Sequence, residues 1–167
     1  MSRTILLTSF QTWLPHQVSN SSDDLLEEVQ KYQLPQRSLI FLRHLPVETD
    51  RASQRVLSAL KLLQPDAIAC CGMAESREKL TVESNARRGD RQLKTSFNLK
   101  KLVIGLKVTE ISHDAGQFVC EGLYYEILNA LQRDRSSSRC LFIHVPPLSP
   151  DNQSGILADF LALLSKI

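Results

Sequence analysis

Short apolar runs, helix-periodic segments between them, and Pro-containing breaks at the junctions predict a three-layer α/β/α fold on a mainly parallel, mixed and twisted sheet. The apolar runs lack polar alternation, as strands covered on both faces require. Right-handed crossovers would then place helices on both sides of the sheet. At 167 residues the chain predicts one domain over 1–167, large enough to bury a core without disulfide staples.

Residues 4–10, rich in Ile, Leu and Thr, are the first strand. Residues 11–22 are a polar loop with Trp13, Pro15 and His16. Asn20-Ser-Ser-Asp-Asp offers caps for a helix with Leu25, Leu26, Val29 and Tyr32 on one face, ended by Pro35. Residues 37–45 form the second strand. Residues 49–63 form an amphipathic helix capped by Thr49 or Asp50, with Ala52, Val56, Ala59, Leu60 and Leu63 facing inward. Pro65-Asp66 breaks it, and residues 66–71 are a third strand running into Gly72.

Partial alternation over 79–86 predicts another strand. Residues 87–101 carry Arg87, Arg88, Arg91, Lys94, Lys100 and Lys101 but only one aromatic, Phe97. A solvated or mobile loop fits that composition better than a nucleic-acid surface. Residues 98–105 read as a short helix ending at its glycine. A strand at 108–112 leads through Ala115-Gly116 into a helix presenting Val119, Leu123, Ile127, Leu128 and Leu131. After a polar turn at 133–139, residues 140–145 form the last strand, stopped by Pro146-Pro147. Residues 154–167 form a helix with Ile156, Leu157, Phe160, Leu161 and Leu164 inward.

Composition narrows the function classes. With 20 basic and 18 acidic residues the net charge is +2, too small to steer nucleic acid or a membrane surface. No apolar segment approaches the length of a bilayer span, and the N-terminus lacks signal-peptide anatomy. Four cysteines, with no C-x-x-C and no histidine-spaced cluster, predict neither a disulfide framework nor a zinc site. A reducing, cytoplasmic setting is expected.

Cys120 falls in the first turn of its helix, where free N–H groups and the helix dipole stabilise an anion. A thiol there can have a depressed pKa and act as a nucleophile. It can equally be a small buried apolar residue, as most free cysteines are. His144 lies near the end of the last strand, and functional groups in open α/β sheets gather beyond the carboxyl ends of strands. A neutral histidine beside a thiol can take its proton and return it to a leaving amine. Such a base needs a third group to hold its tautomer, and Glu83 is a plausible carboxylate. A structural histidine and a solvent-facing glutamate are the alternatives.

Four stretches carry a resemblance to a family. They are Ile5-Leu-Leu-Thr-Ser-Phe10-Gln-Thr-Trp13, Gly72-Met-Ala-Glu-Ser-Arg77-Glu-Lys-Leu-Thr81-Val-Glu83, Ser112-His-Asp-Ala115-Gly116-Gln-Phe-Val-Cys120 and Phe142-Ile-His144-Val-Pro146. In this order they resemble the type I pyroglutamyl peptidases (pyrrolidone-carboxylate peptidases), cytosolic cysteine peptidases that remove an N-terminal pyroglutamyl residue. The resemblance implies a phosphorylase/hydrolase-like fold, with Cys120 as nucleophile, His144 as base and Glu83 orienting the histidine. It implies that Phe10 and Trp13 sandwich a lactam ring, and that a peptide or small lactam/amide is the substrate. It calls for no cofactor and no metal, and it leaves a homo-oligomer open.

The departures are specific. Ser9 and Leu14-Pro15 stand where the family's first loop has glycines, and Glu121 stands where it has Asn beside the nucleophile. A carboxylate there would raise the thiol pKa unless it points away. The chain is also shorter around 87–107, where the family has an insertion shaping the pocket wall and subunit contacts. A catalytically weak homologue serving as a binding protein, or an amidohydrolase of altered acyl specificity, are the other readings.

Overall fold

Alternate residues of the apolar runs are buried on opposite faces of one six-stranded sheet, which is how the pleat sorts side chains. The computed structural model describes residues 2–167. In chain order these form β1 (Arg3–Phe10), α1 (Ser21–Val29), β2 (Arg37–Leu45), α2 (Thr49–Leu63), β3 (Ala67–Met73), β4 (Leu80–Glu83), β5 (Asn85–Arg88), β6 (Arg91–Lys94), α3 (Leu99–Val103), β7 (Thr109–Ser112), α4 (Val119–Arg133), β8 (Arg139–Val145) and α5 (Gln153–Lys166). The main sheet has the order β2-β1-β3-β8-β4-β7. All its pairings are parallel except β4 with β8, so the sheet is mixed as expected.

Ile5, Leu7, Ala69, Leu141 and Ile143 pack toward α1, α3 and α5. Leu6, Ile68, Cys70, Cys140 and Phe142 pack toward the face that carries α2 and α4. Helices on both faces complete the three layers. On the second face Gly122 lets α4 approach α2 closely, since a Cβ there would lie 2.6 Å from the Thr49 methyl.

Several local expectations are corrected. Helix α1 stops at Val29, well before Pro35, and Tyr32 is exposed. Asn20 caps α1 by accepting from the Ser22 N–H. Helix α2 has the expected bounds, but its N-cap is Glu48, which makes no side-chain cap, rather than Thr49 or Asp50, and Leu63 is exposed at the other end. The strand expected over 79–86 divides at Ser84, where β4 leaves the main sheet and β5 begins another. The basic stretch is not a loop: β5 and β6 pair as an antiparallel hairpin, with Gly89 at positive φ in its turn. Short β-ladders with exposed basic side chains leave little hydrophobic signal, so composition alone points to a loop.

Asp159 shows how the edge of the sheet is held. Its carboxylate is buried on α5 and accepts from the N–H groups of Lys107 and Val108 and from the Thr109 hydroxyl, at 2.7–3.1 Å. These charge-assisted bonds tie the start of β7 to the closing helix.

Candidate active site

Gly72 and His144 are direct partners in the parallel β3–β8 register. Partners in register point to the same face, so the missing Cβ of Gly72 opens a notch beside the histidine. The Sγ of Cys120 lies in that notch: a Cβ on Gly72 would be 2.7 Å from it and 3.1 Å from the Phe142 ring. A glycine within a buried strand is a recognised sign of close approach by another group. Here that group is the candidate nucleophile.

His144 is 5% exposed, and its ring packs against Phe142 at 4.9 Å between centroids. Its Nδ1 lies 2.7 Å from Glu83 Oε1. An ionised carboxylate only accepts, so Nδ1 carries the proton and Nε2 of the neutral ring holds the free lone pair. Glu83 is fully buried. Strand β4 runs antiparallel to β8 with Thr81 opposite His144 and Glu83 opposite Phe142, and this register brings the carboxylate to the imidazole.

Arg77 completes the arrangement. Its Nη1 donates to Glu83 Oε1 at 2.5 Å and to the Thr81 hydroxyl, and its Nη2 donates to the Asp114 carbonyl at 2.7 Å. The fork thus joins the buried carboxylate to the turn that precedes α4. Burial pushes the Glu83 carboxyl up, but the hydrogen bond from His144, the nearby Ser112 hydroxyl and the Arg77 charge outweigh it and hold the group below its ordinary value. Glu83 Oε2 is buried without a hydrogen-bond partner among the described residues.

Cys120 is the second residue of α4 and is half-buried. The turn before it depends on Gly116 at φ 92°, whose N–H donates to Asp114 Oδ1 at 3.0 Å. Phe118 at the N-cap makes no side-chain cap, which leaves first-turn N–H groups available. The thiol is nevertheless not depressed. Burial, followed by Cys70 and Glu83, pushes it up to about 12, with Arg77 opposing. Desolvation of the thiolate is the largest cause and outweighs the Arg77 charge. Glu121 turns away: its carboxylate accepts from the Arg87 N–H at 3.0 Å.

Cys120 and His144 line one open cavity of about 870 Å³, with Arg77, Trp13, Phe118 and Glu121 also on its walls. They do not reach it through a shared carboxyl edge. Strand β7 runs with β4 and against β8, so residues 113–118 must carry the chain back before α4 presents the cysteine. Trp13 lies on the cavity wall, and its ring is 6.4 Å from that of Phe118. Phe10 lies elsewhere: it is 2% exposed and packs in the core with Leu45 and Tyr124. The structure thus brings Cys120, His144 and Trp13 to the wall of one cavity, holds Glu83 buried against His144, and puts Phe118 rather than Phe10 on that wall.

Gly72, Arg77 and Phe118 were not assigned roles from sequence. The glycine inside an apolar run, and an aromatic residue at a position that favours Ser, Thr or Asp, were the available signals for two of them. Among the described residues no cluster of His, Cys, Asp and Glu could hold a metal ion, and no helix is long and apolar enough to cross a membrane.

No protein-family model matches the chain. Among curated proteins it is 28% identical over 179 residues to the pyrrolidone-carboxylate peptidase of Vibrio vulnificus strain YJ016, covering 92% of this chain and 82% of that protein. It is 26% identical over 172 residues to the pyrrolidone-carboxylate peptidase of Brevibacillus brevis, covering 87% and 79%. Among solved structures, pyroglutamyl peptidase I from Bacillus amyloliquefaciens superposes with a TM-score of 0.86 at 21% identity, covering 99% of this chain and 95% of that one. The chain is thus similar in sequence to pyrrolidone-carboxylate peptidases over most of its length, and it shares the fold of pyroglutamyl peptidase I.

Proposed function

We propose that the chain is a cysteine peptidase that hydrolyses the amide bond after an N-terminal pyroglutamyl residue. The observation that carries this reading is the buried Glu83–His144 pair beside the Gly72 notch that receives the Cys120 sulfur. With its thiol pushed up to about 12, Cys120 rests as a neutral thiol. Attack therefore requires His144 Nε2 to take the thiol proton as sulfur bonds to the acyl carbon. The carbon–nitrogen bond then breaks, and the imidazolium returns that proton to the departing amine. Water, deprotonated by His144, attacks the thioester, releases the acid and restores the thiol. Glu83 keeps Nδ1 protonated and stabilises the imidazolium at each stage. The N–H groups at the start of α4 are positioned to receive the acyl oxygen.

Trp13 and Phe118 form the wall that accepts a compact, uncharged ring. The cavity is larger than a five-membered lactam needs, which favours a second reading in which other acyl groups also enter. Four unpaired cysteines fit a reducing, cytoplasmic compartment, and residues 1–167 act as one domain in this scheme.

The test is release of a fluorogenic amine from a pyroglutamyl conjugate and from conjugates of larger acyl groups. Release by the wild type and its loss in Cys120→Ser supports the reading. A folded wild type that releases nothing from any conjugate sinks it.

A further inference from the structure

Trp13 is 55% exposed, so no core packing holds it in place. Its main chain is held instead by one carboxamide. Gln17 Oε1 accepts from the N–H groups of Trp13 and Leu14, at 3.1 and 3.3 Å. The same carboxamide donates through Nε2 to Glu75 Oε1 at 3.3 Å, and His16 Nε2 meets that same oxygen at 2.8 Å. Glu75 follows β3 and stands two residues before Arg77, which holds Glu83 and the Asp114 carbonyl. The aromatic wall and the acid of the dyad are therefore anchored to a single short segment, 74–77.

We infer that Glu75 is a positioning residue that sets the acyl-recognition wall: it holds Gln17, and Gln17 holds Trp13 opposite Phe118. The inference rests on the proposed peptidase reading only for the ring that the wall receives. Leu14-Pro15 in this loop restrict its backbone, and the turn closes with the Gln17 N–H on the Leu14 carbonyl at 3.0 Å. A turn so formed still needs an attachment to the body of the protein, and Glu75 supplies it. Exposed polar contacts contribute little to stability, so the contact between His16 and Glu75 is not primarily a stabilising device. Its effect is on geometry, because the position of Trp13 against Phe118 shapes the aromatic wall of the cavity.

Trp13 is the single tryptophan of the chain, so its fluorescence reports the loop directly. In full-length Glu75→Ala, acrylamide quenching of Trp13 should rise about twofold and KM for a pyroglutamyl amide about fivefold, with kcat within about twofold of wild type. Gln17→Ala should reproduce both changes, and Glu75→Gln, which still accepts from Gln17, should restore most of the wild-type behaviour. Unchanged quenching in both alanine variants overturns the inference, as does a raised quenching with an unaltered KM. A wild type without peptidase activity sinks the function reading separately. The quenching comparison then decides alone whether Glu75 holds Trp13.

Discussion

The sulfur of Cys120 occupies the space that a side chain on Gly72 would need, 2.7 Å from the position of its Cβ. The candidate nucleophile is thus seated beside the strand of the candidate base because the β3 residue in register with His144 has no side chain. Gly72→Ala should displace Cys120, destabilise the fold by about 1–3 kcal/mol through overpacking, and lower kcat about 100-fold. Turnover of a pyroglutamyl amide and a thermal melt measure the two effects. A variant with wild-type kcat would show that the notch does not position the sulfur.

Arg77 is the fork that joins Glu83 to the turn before Cys120. Arg77→Met should leave Glu83 buried without its cation, costing about 3–5 kcal/mol of stability. Its kcat should fall about 100-fold with little change in KM, because the base loses its orientation rather than the substrate its contacts. Lysine should recover only part, since it carries the charge without the planar fork. Urea melts and steady-state kinetics on the three proteins provide the comparison.

The raised Cys120 thiol predicts an alkylation profile. With a pKa of about 12, its thiolate fraction climbs about tenfold for each pH unit from 7 to 10 and does not level off. Iodoacetamide labelling followed by peptide mapping should show slow modification of Cys120 at neutral pH and that continuing rise. A plateau below pH 9 would mean the thiol is activated in the resting protein.

Acid stability depends on two buried carboxylates. Burial pushes Asp23 up, yet hydrogen bonds from Arg43 and Ser9 hold it below its ordinary value, and Glu83 is also lowered. A folded value below the unfolded one stabilises the protein above the ordinary carboxylate range, and this stability is lost as pH falls through the folded value. Arg43 makes a bidentate contact to Asp23, at 2.8 and 2.7 Å. Arg43→Met should therefore move the midpoint of acid unfolding, followed by circular dichroism, to higher pH, while His44, 3.5 Å from the same carboxylate, retains a residual part.

Much of this protein is determined locally. The apolar runs at 4–10, 66–71 and 140–145 mark three strands because a strand buried on both faces must be apolar throughout. The periodic segments at 49–63 and 119–133 mark helices because one stripe must face the sheet. Cys120, His144 and Glu83 each had a structural alternative by themselves, and they became candidates for chemistry through the order of the four stretches that carry the resemblance.

What only the tertiary structure decided is which groups share a space and in what state. The antiparallel register of β4 sets Glu83 on His144, and no pattern along β4 encodes the direction of its partner. Phe10 and Trp13 are alike in sequence terms, yet one lies in the core and the other on the cavity wall, because Phe10 ends β1 and Trp13 belongs to the loop that follows it. The Cys120 thiol, which a helix N-terminus could have depressed, is raised instead. Its state is set by burial and by Cys70 and Glu83 against the Arg77 charge, all contributed by residues distant in the chain. Secondary structure follows from neighbours in sequence, whereas register, burial and charge depend on neighbours in space.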